Sequence, residues 1–103
     1  MMYNKLVRDK IPDILEGLGV KFRSHIADSL EYEESLKEKM YEEVEEFFEE
    51  PSLEEAADIY EVFLAYLGNW GFSLEEVLTV ADSKRAIKGS FKTGIILDET
   101  VVT

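Results

Sequence analysis

An all-α fold, a bundle of about four helices centred on a helical hairpin, is what this sequence predicts, and three observations carry it. Apolar residues recur at helical spacing through Leu36, Met40, Val44, Phe47 and Phe48, and again from Ala56 to Leu67. Serines stand as helix starts at Ser52 and Ser73, each with a glutamate three residues on. Pro51 and the glycines at 17, 19, 68, 71 and 89 punctuate those runs where helices should stop.

The elements follow in order. Arg8 to Leu18 reads as a short first helix with Pro12 in its first turn, where a missing N–H does no harm, and with Gly17 or Gly19 at its end. Val20 to Ile26 nearly alternates apolar and polar side chains and predicts a short peripheral strand. Asp28 or Ser29 caps a long helix to about Glu49, which Pro51 breaks. Ser52, in a capping box with Glu55, opens a helix over Leu53 to about Asn69 that is apolar on most of its surface and is expected at the centre of the core. Ser73, boxed with Glu76, opens a last helix with a stripe of Leu74, Val77, Leu78 and Ala81, ending at Gly89. Thr93 to Leu97 predicts a second short strand able to pair with the first.

The 103 residues suffice for one domain, 1–103, with a core small enough that oligomerisation would help its stability. With 46% hydrophobic residues and 12% aromatic, disorder is excluded despite the charge. There is no cysteine, so disulfides and zinc–thiolate sites are excluded. No apolar run approaches the roughly 20 residues of a membrane span, and the opening MMYNKLVRDK lacks the apolar stretch of a signal peptide. A cytoplasmic protein with no membrane partner is expected.

A net charge of −12 argues against nucleic acid as a partner. Its distribution says more. Residues 28–82 carry 18 Asp or Glu against only Lys37 and Lys39, whereas the remaining chain is net positive. An acidic middle lies between basic ends: Lys5, Arg8 and Lys10 at one, Lys84, Arg85, Lys88 and Lys92 at the other. Acidic helix faces are often just solvated and basic residues often just sit near helix C-termini, so the arrangement within the acidic segment has to decide.

Two helices joined by a tight turn at Pro51–Ser52 must run antiparallel and adjacent. In such a hairpin, residues at one height have numbers that add to a constant, and Glu46 with Glu55 shares that constant with Glu43 and Asp58. The four carboxylates thus form two rungs, about 4.5 Å apart at 1.5 Å rise per residue. Glu43 falls on the apolar stripe, Glu46 borders it, and Asp58 interrupts an oily helix. Like charges on a buried seam repel and are costly to desolvate, so a cation belongs among them. Hard oxygen donors in a compact set suit Mg²⁺, or Mn²⁺. His25 reads as a surface or packing residue, and Tyr60, Tyr66 and Trp70 as core; no Gly-rich phosphate loop is present.

Together, YNKLVRDKIPDIL (Tyr3 to Leu15), LKEKMYEEVEEF (Leu36 to Phe47), EEAADIYEV (Glu54 to Val62) and SKRAIKGSFKTGIIL (Ser83 to Leu97) resemble blocks of the all-α NTP pyrophosphatase superfamily, in its MazG-like or phosphoribosyl-ATP pyrophosphohydrolase-like group. They occur in order over nearly the whole chain; the paired E-x-x-E and E-x-x-D blocks are the specific part. The resemblance implies Mg²⁺-dependent hydrolysis of a nucleoside triphosphate to the monophosphate and pyrophosphate, in nucleotide-pool cleaning, by a homodimer or homotetramer. It implies Glu43, Glu46, Glu55 and Asp58 as metal ligands and Lys84 and Arg85 near the phosphates, with Lys5 and Arg8 contributing. Glu46 or Glu42 is the expected group that orients or deprotonates the attacking water. The turn after Lys84–Arg85 reads Gly89–Ser90–Phe91 where the group usually has Gly-Gly-Phe. Two alternatives stand beside this reading: hydrolysis of phosphoribosyl-ATP, and a non-catalytic acidic helical oligomer that binds a protein or a nucleotide.

Overall fold

In a computed structural model that describes residues 4–102, the chain forms four helices. They are α1 (Ile11–Gly17), α2 (Ser29–Glu49), α3 (Leu53–Asn69) and α4 (Leu74–Lys88). Its contacts divide it into two compact units, Met1–Gly71 with the first three helices and Phe72–Thr103 with the fourth.

Local chemistry accounts for each boundary. Pro12 occupies the first turn of α1. That helix closes on Gly19 at φ +74°: the Gly19 N–H donates to the Glu16 carbonyl and the Val20 N–H to the Leu15 carbonyl, both at 3.0 Å. This crossed pair is a Schellman ending, which needs a left-handed residue where glycine stands. Asp28 caps α2 by accepting the Glu31 N–H at 2.9 Å. The break between α2 and α3 spans only Glu50, Pro51 and Ser52. Ser52 Oγ then accepts the Glu55 N–H at 3.1 Å. The expected capping box there is half made, since the Glu55 side chain does not return to the Ser52 backbone. At α4 the box is complete: Ser73 Oγ accepts the Glu76 N–H, and the Glu76 carboxylate accepts the Ser73 N–H, both at 3.1 Å. Gly89, at φ +85°, stops that helix.

Neither expected strand forms. Residues 20–26 and 93–97 have no ladder partner among the described residues; the backbone bonds there, Val20 to Leu15 and Gly94 to Phe91, close turns. Alternation over so few residues is a weak signal, and an isolated two-stranded ribbon has marginal stability in water. Both segments carry exposed apolar side chains, among them Ile26, Ile95 and Ile96.

Within the first unit, α2 and α3 pack side by side as an antiparallel hairpin. Leu36 is the one fully buried hydrophobic side chain among the described residues, with Met40 and Phe47 half-buried on the same stripe and Phe48 outside it. Helix α3 was expected at the core, yet none of its residues is fully buried. The reason is that it is apolar on two opposite faces. One, through Ile59, Val62 and Tyr66, is half-buried. The other, through Leu53, Ala57, Tyr60, Leu64 and Leu67, is spaced four, three, four, three; its first half is exposed, with Leu53 at 91% and Tyr60 at 48%, and Leu64 and Leu67 are half-buried. Tyr66 and Trp70 stack with centroids 6.3 Å apart, and Trp70 is largely exposed. His25 lies on the surface, its Nε2 2.9 Å from Glu31. Among the described residues, no helix is long and apolar enough to cross a membrane.

The capping box on α4 should govern its acid stability. The Ser73 backbone N–H, which donates to the carboxylate, and then the Ser73 side chain hold the Glu76 carboxyl below the ordinary glutamate value of 4.5. A lowered folded-state pKa contributes stability that is present above the unfolded value and lost as pH falls through the folded one. Glu76→Gln should therefore melt earlier than wild type at pH 7, and the gap should close in melts below pH 4.5. Ser73→Ala should cost about 1 kcal/mol at neutral pH, the usual loss of an N-cap.

Candidate metal centre on the α2–α3 hairpin

Glu43 is the buried polar residue among the described residues of the first unit, only 6% exposed. It is there because it lies two helical turns from Leu36, at i+7 on the same stripe of α2, and that stripe faces the seam. Across the seam, α3 offers Glu55 and Asp58, three residues apart on one face, both half-buried. Carboxylate oxygens of Glu43, Glu55 and Asp58 all lie within 4.8 Å of one another. This is the convergence the rung argument anticipated for three of its four residues. Glu46 stands apart from the triad: it is exposed, because it borders the stripe instead of lying on it.

The electrostatics follow from that crowding. Burial, then the charge of Glu46, then that of Asp58 push the Glu43 carboxyl above its ordinary value, while Lys39 pulls it back. Glu43 Oε2 and Glu55 Oε2 are buried without a hydrogen-bond partner among the described residues. Buried carboxylate oxygens almost always have partners, so two orphans within one cluster make it a candidate ligand site. An all-oxygen donor set that is half-buried and multiply anionic fits a hard divalent cation, Mg²⁺ or Mn²⁺. The half-made cap at Ser52 belongs to the same picture, since the Glu55 side chain is turned toward the cluster instead of back onto its own helix.

Three basic side chains ring the carboxylates. Arg8 Nη2 donates to Asp58 Oδ1 at 2.7 Å, with Nη1 3.9 Å from Glu61. Lys5 Nζ donates to Glu42 Oε1 at 3.3 Å. Lys5 thus ties the N-terminal segment to α2, and Arg8 ties it to α3. Lys39 Nζ lies 3.4 Å from Glu43 Oε1 and 4.0 Å from Glu42 Oε1. A cleft of about 280 Å³ opens beside the cluster, lined by Val7, Arg8, Ile11, Lys39, Glu43 and Asp58.

Of the expected site residues, Glu43, Glu55, Asp58, Glu42, Lys5 and Arg8 are thus gathered on the hairpin, with Glu46 at its flank. Lys84 and Arg85 lie on α4 in the second unit, both exposed, where Arg85 Nη1 donates to Asp82 Oδ1 at 2.9 Å. Lys39 is the residue that sequence reasoning passed over. Its signal was present: it stands four residues before Glu43, one of two lysines in the acidic segment. No family model, curated protein or solved structure matches this chain.

A carboxylate raised by burial and like charges destabilises the fold when ionised. Without metal, at neutral pH and with EDTA present, Glu43→Gln should raise the melting temperature by roughly 2–5 °C, the scale of a sub-kilocalorie gain in a domain of this size. Glu46→Gln, at an exposed position, should shift it less. A fall in the Glu43→Gln melting temperature would contradict this account of the seam.

Proposed function

We propose that the protein is a Mg²⁺-dependent nucleoside triphosphate pyrophosphohydrolase of the MazG-like type, converting a nucleoside triphosphate and water to the monophosphate and pyrophosphate. The single observation that carries the reading is the convergence of Glu43, Glu55 and Asp58, with two orphaned buried oxygens, on the hairpin that bears the resembling E-x-x-E and E-x-x-D blocks. Glu43, Glu55 and Asp58 would hold the metal; Glu46 as a fourth ligand rests on the resemblance alone. Bound Mg²⁺ supplies neutralisation of the triphosphate charge and Lewis acidity at a phosphoryl oxygen.

The chain's own groups do the rest. Arg8 and Lys5 are cationic, more than half exposed at the side chain, and close enough to the carboxylates to bind phosphate oxygens beside them. Water attacks phosphorus, the bond to the pyrophosphate oxygen breaks, and the water's proton passes to a carboxylate. Glu46 is suited to that role, since it makes no ion pair among the described residues, whereas Glu42 is engaged by Lys5. The cleft of about 280 Å³ is just under the ~300–1,000 Å³ of pockets that enclose a drug-sized ligand. It suits the polyphosphate end of a nucleotide, leaving the base to be held by other walls. The assignment of Lys84 and Arg85 to the phosphates rests on the resemblance alone.

The oligomeric state enters the same proposal. The outer face of α3, Leu53, Ala57, Tyr60, Leu64 and Leu67, has the seven-residue apolar repeat of a helix–helix seam. A second copy presents the same seam, so a two-fold pairing of hairpins as a homodimer, or as half of a homotetramer, would cover it. Light scattering after size exclusion should show the wild type as a dimer or tetramer and Tyr60→Glu as a smaller species; a monomeric wild type ends this part of the proposal.

Pyrophosphate release from a panel of ribo- and deoxyribonucleoside triphosphates, with Mg²⁺, with Mn²⁺ and with EDTA, tests the reaction. Release is expected only with metal, and Glu43→Gln and Asp58→Asn should each abolish it while helical content is retained. Retained turnover in both variants overturns the assignment. A folded wild type that releases nothing from any triphosphate moves the weight to phosphoribosyl-ATP or to a binding role.

A further inference from the structure

We infer that Lys39 and Arg8 are resident counter-cations of the carboxylate cluster, and that they change partners from carboxylate to phosphate when a divalent cation and a polyphosphate enter together. The inference rests on the reading of Glu43, Glu55 and Asp58 as a cation site.

The placement of the two cations is the first ground. Arg8 holds Asp58 at 2.7 Å and Lys39 holds Glu43 at 3.4 Å, so two of the three converging residues each carry a basic partner on one side. The other oxygen of Glu43, Oε2, is buried and unpartnered. Both cations also line the same cleft as Glu43 and Asp58, with Val7 and Ile11 as its apolar part. One pair of basic residues thus contacts both the carboxylates and the space where a phosphate group fits.

The second ground is how loosely the pairs are held. Lysine four residues before glutamate is the less favourable order for a helical pair, so α2 itself gives Lys39 little reason to keep Glu43. Arg8 comes from an irregular segment and is 57% exposed at the side chain, where an ion pair is weak. Lys39 differs in being only 26% exposed. Displaced by an arriving dication, its ammonium would be left half-buried without an anion, apart from Glu42 at 4.0 Å. A phosphate oxygen in the cleft supplies that anion. Conversely, a polyphosphate arriving alone meets carboxylates whose charge nothing has neutralised. Each ligand thus removes the obstacle to the other, a coupling that linkage makes reciprocal.

One substitution should therefore move two affinities in opposite directions. In calorimetric titrations of the whole protein, Lys39→Met should bind Mg²⁺ alone roughly five-fold or more tighter than wild type, and inorganic pyrophosphate at saturating Mg²⁺ weaker by a similar factor, the lower end of typical site–site couplings. Arg8→Met should repeat the pattern from outside any helix. Lys37→Met is the control: Lys37 sits two residues from Lys39 but pairs with Glu33 at 3.9 Å, and neither affinity should change. A purely structural role for Lys39 would weaken both ligands together. That result, or Mg²⁺ affinity unchanged in Lys39→Met and Arg8→Met, overturns the exchange while the metal site stands. A wild type that binds neither Mg²⁺ nor Mg²⁺ with pyrophosphate overturns the exchange and the metal site at once.

Discussion

The seam between α2 and α3 must accommodate a carboxylate where a hydrocarbon would serve stability better. Glu43 shares its stripe with Leu36, and the two are the most buried side chains of α2. Burial disfavours the charged form, and Glu46 and Asp58 add repulsion to desolvation. A purely structural hairpin gains nothing from this. Replacing buried ionic groups by apolar residues of similar volume is often neutral or stabilising, so a helix that places glutamate at one of its two buried positions is shaped by something other than its own stability. Much else in the first unit follows from that choice. Lys39 and Arg8 neutralise the seam from either side, Lys5 ties the N-terminal segment to Glu42, and Glu55 leaves its capping box incomplete to face the cluster.

The brevity of the α2–α3 turn makes the cluster possible. With only Glu50, Pro51 and Ser52 between the helices, the register of one against the other has little freedom. Pro51 cannot continue α2, and Ser52 restarts the chain by capping Glu55. Height along the hairpin is then set by residue number, which brings Glu43 opposite Asp58. Residue number does not set direction around each helix axis. That is decided by which stripe packs inward, and it separates Glu43, on the stripe, from Glu46, sixty degrees or so around at 3.6 residues per turn.

This division explains what was legible in advance. The starts of α2, α3 and α4 and the stops were, because caps are local chemistry: Asp28, Ser52, Ser73, Gly19 and Gly89 each act within a few residues of themselves, whereas α1, expected from Arg8, begins only at Ile11 because no side chain caps it. The convergence of Glu43, Glu55 and Asp58 was also legible, because the turn turns a long-range question into arithmetic. The strands at 20–26 and 93–97 were not, since alternation in a short segment says which side chains could share a face but supplies no partner for the backbone. The centrality of α3 was misread for a different reason. Apolar residues all round a helix imply that it is covered, and the chain itself covers only part of it: Leu53 and Tyr60 stand on its outer face. Lys39 was missed because a lysine in an acidic helix reads as background charge, and only the burial of its partner gives it meaning.

Charge distribution along the chain takes on a specific physical sense from the hairpin outward. A strongly acidic segment flanked by basic ends could be no more than a solvated helix pair with compensating termini. The contacts of Lys5 and Arg8 argue otherwise, because these basic residues do not sit at random on an acidic surface. They reach Glu42 and Asp58, on the two helices that supply the cluster, and Arg8 lines a cleft that Glu43 also lines. An arrangement built only to neutralise would place its cations over the most exposed carboxylates, where pairing costs least in desolvation. Here Lys39 is set against Glu43, a carboxylate that burial makes harder to ionise. Cations held weakly beside anions that are expensive to leave bare are the physical ground of the proposed metal-bound polyphosphate, a ligand carrying both signs of charge.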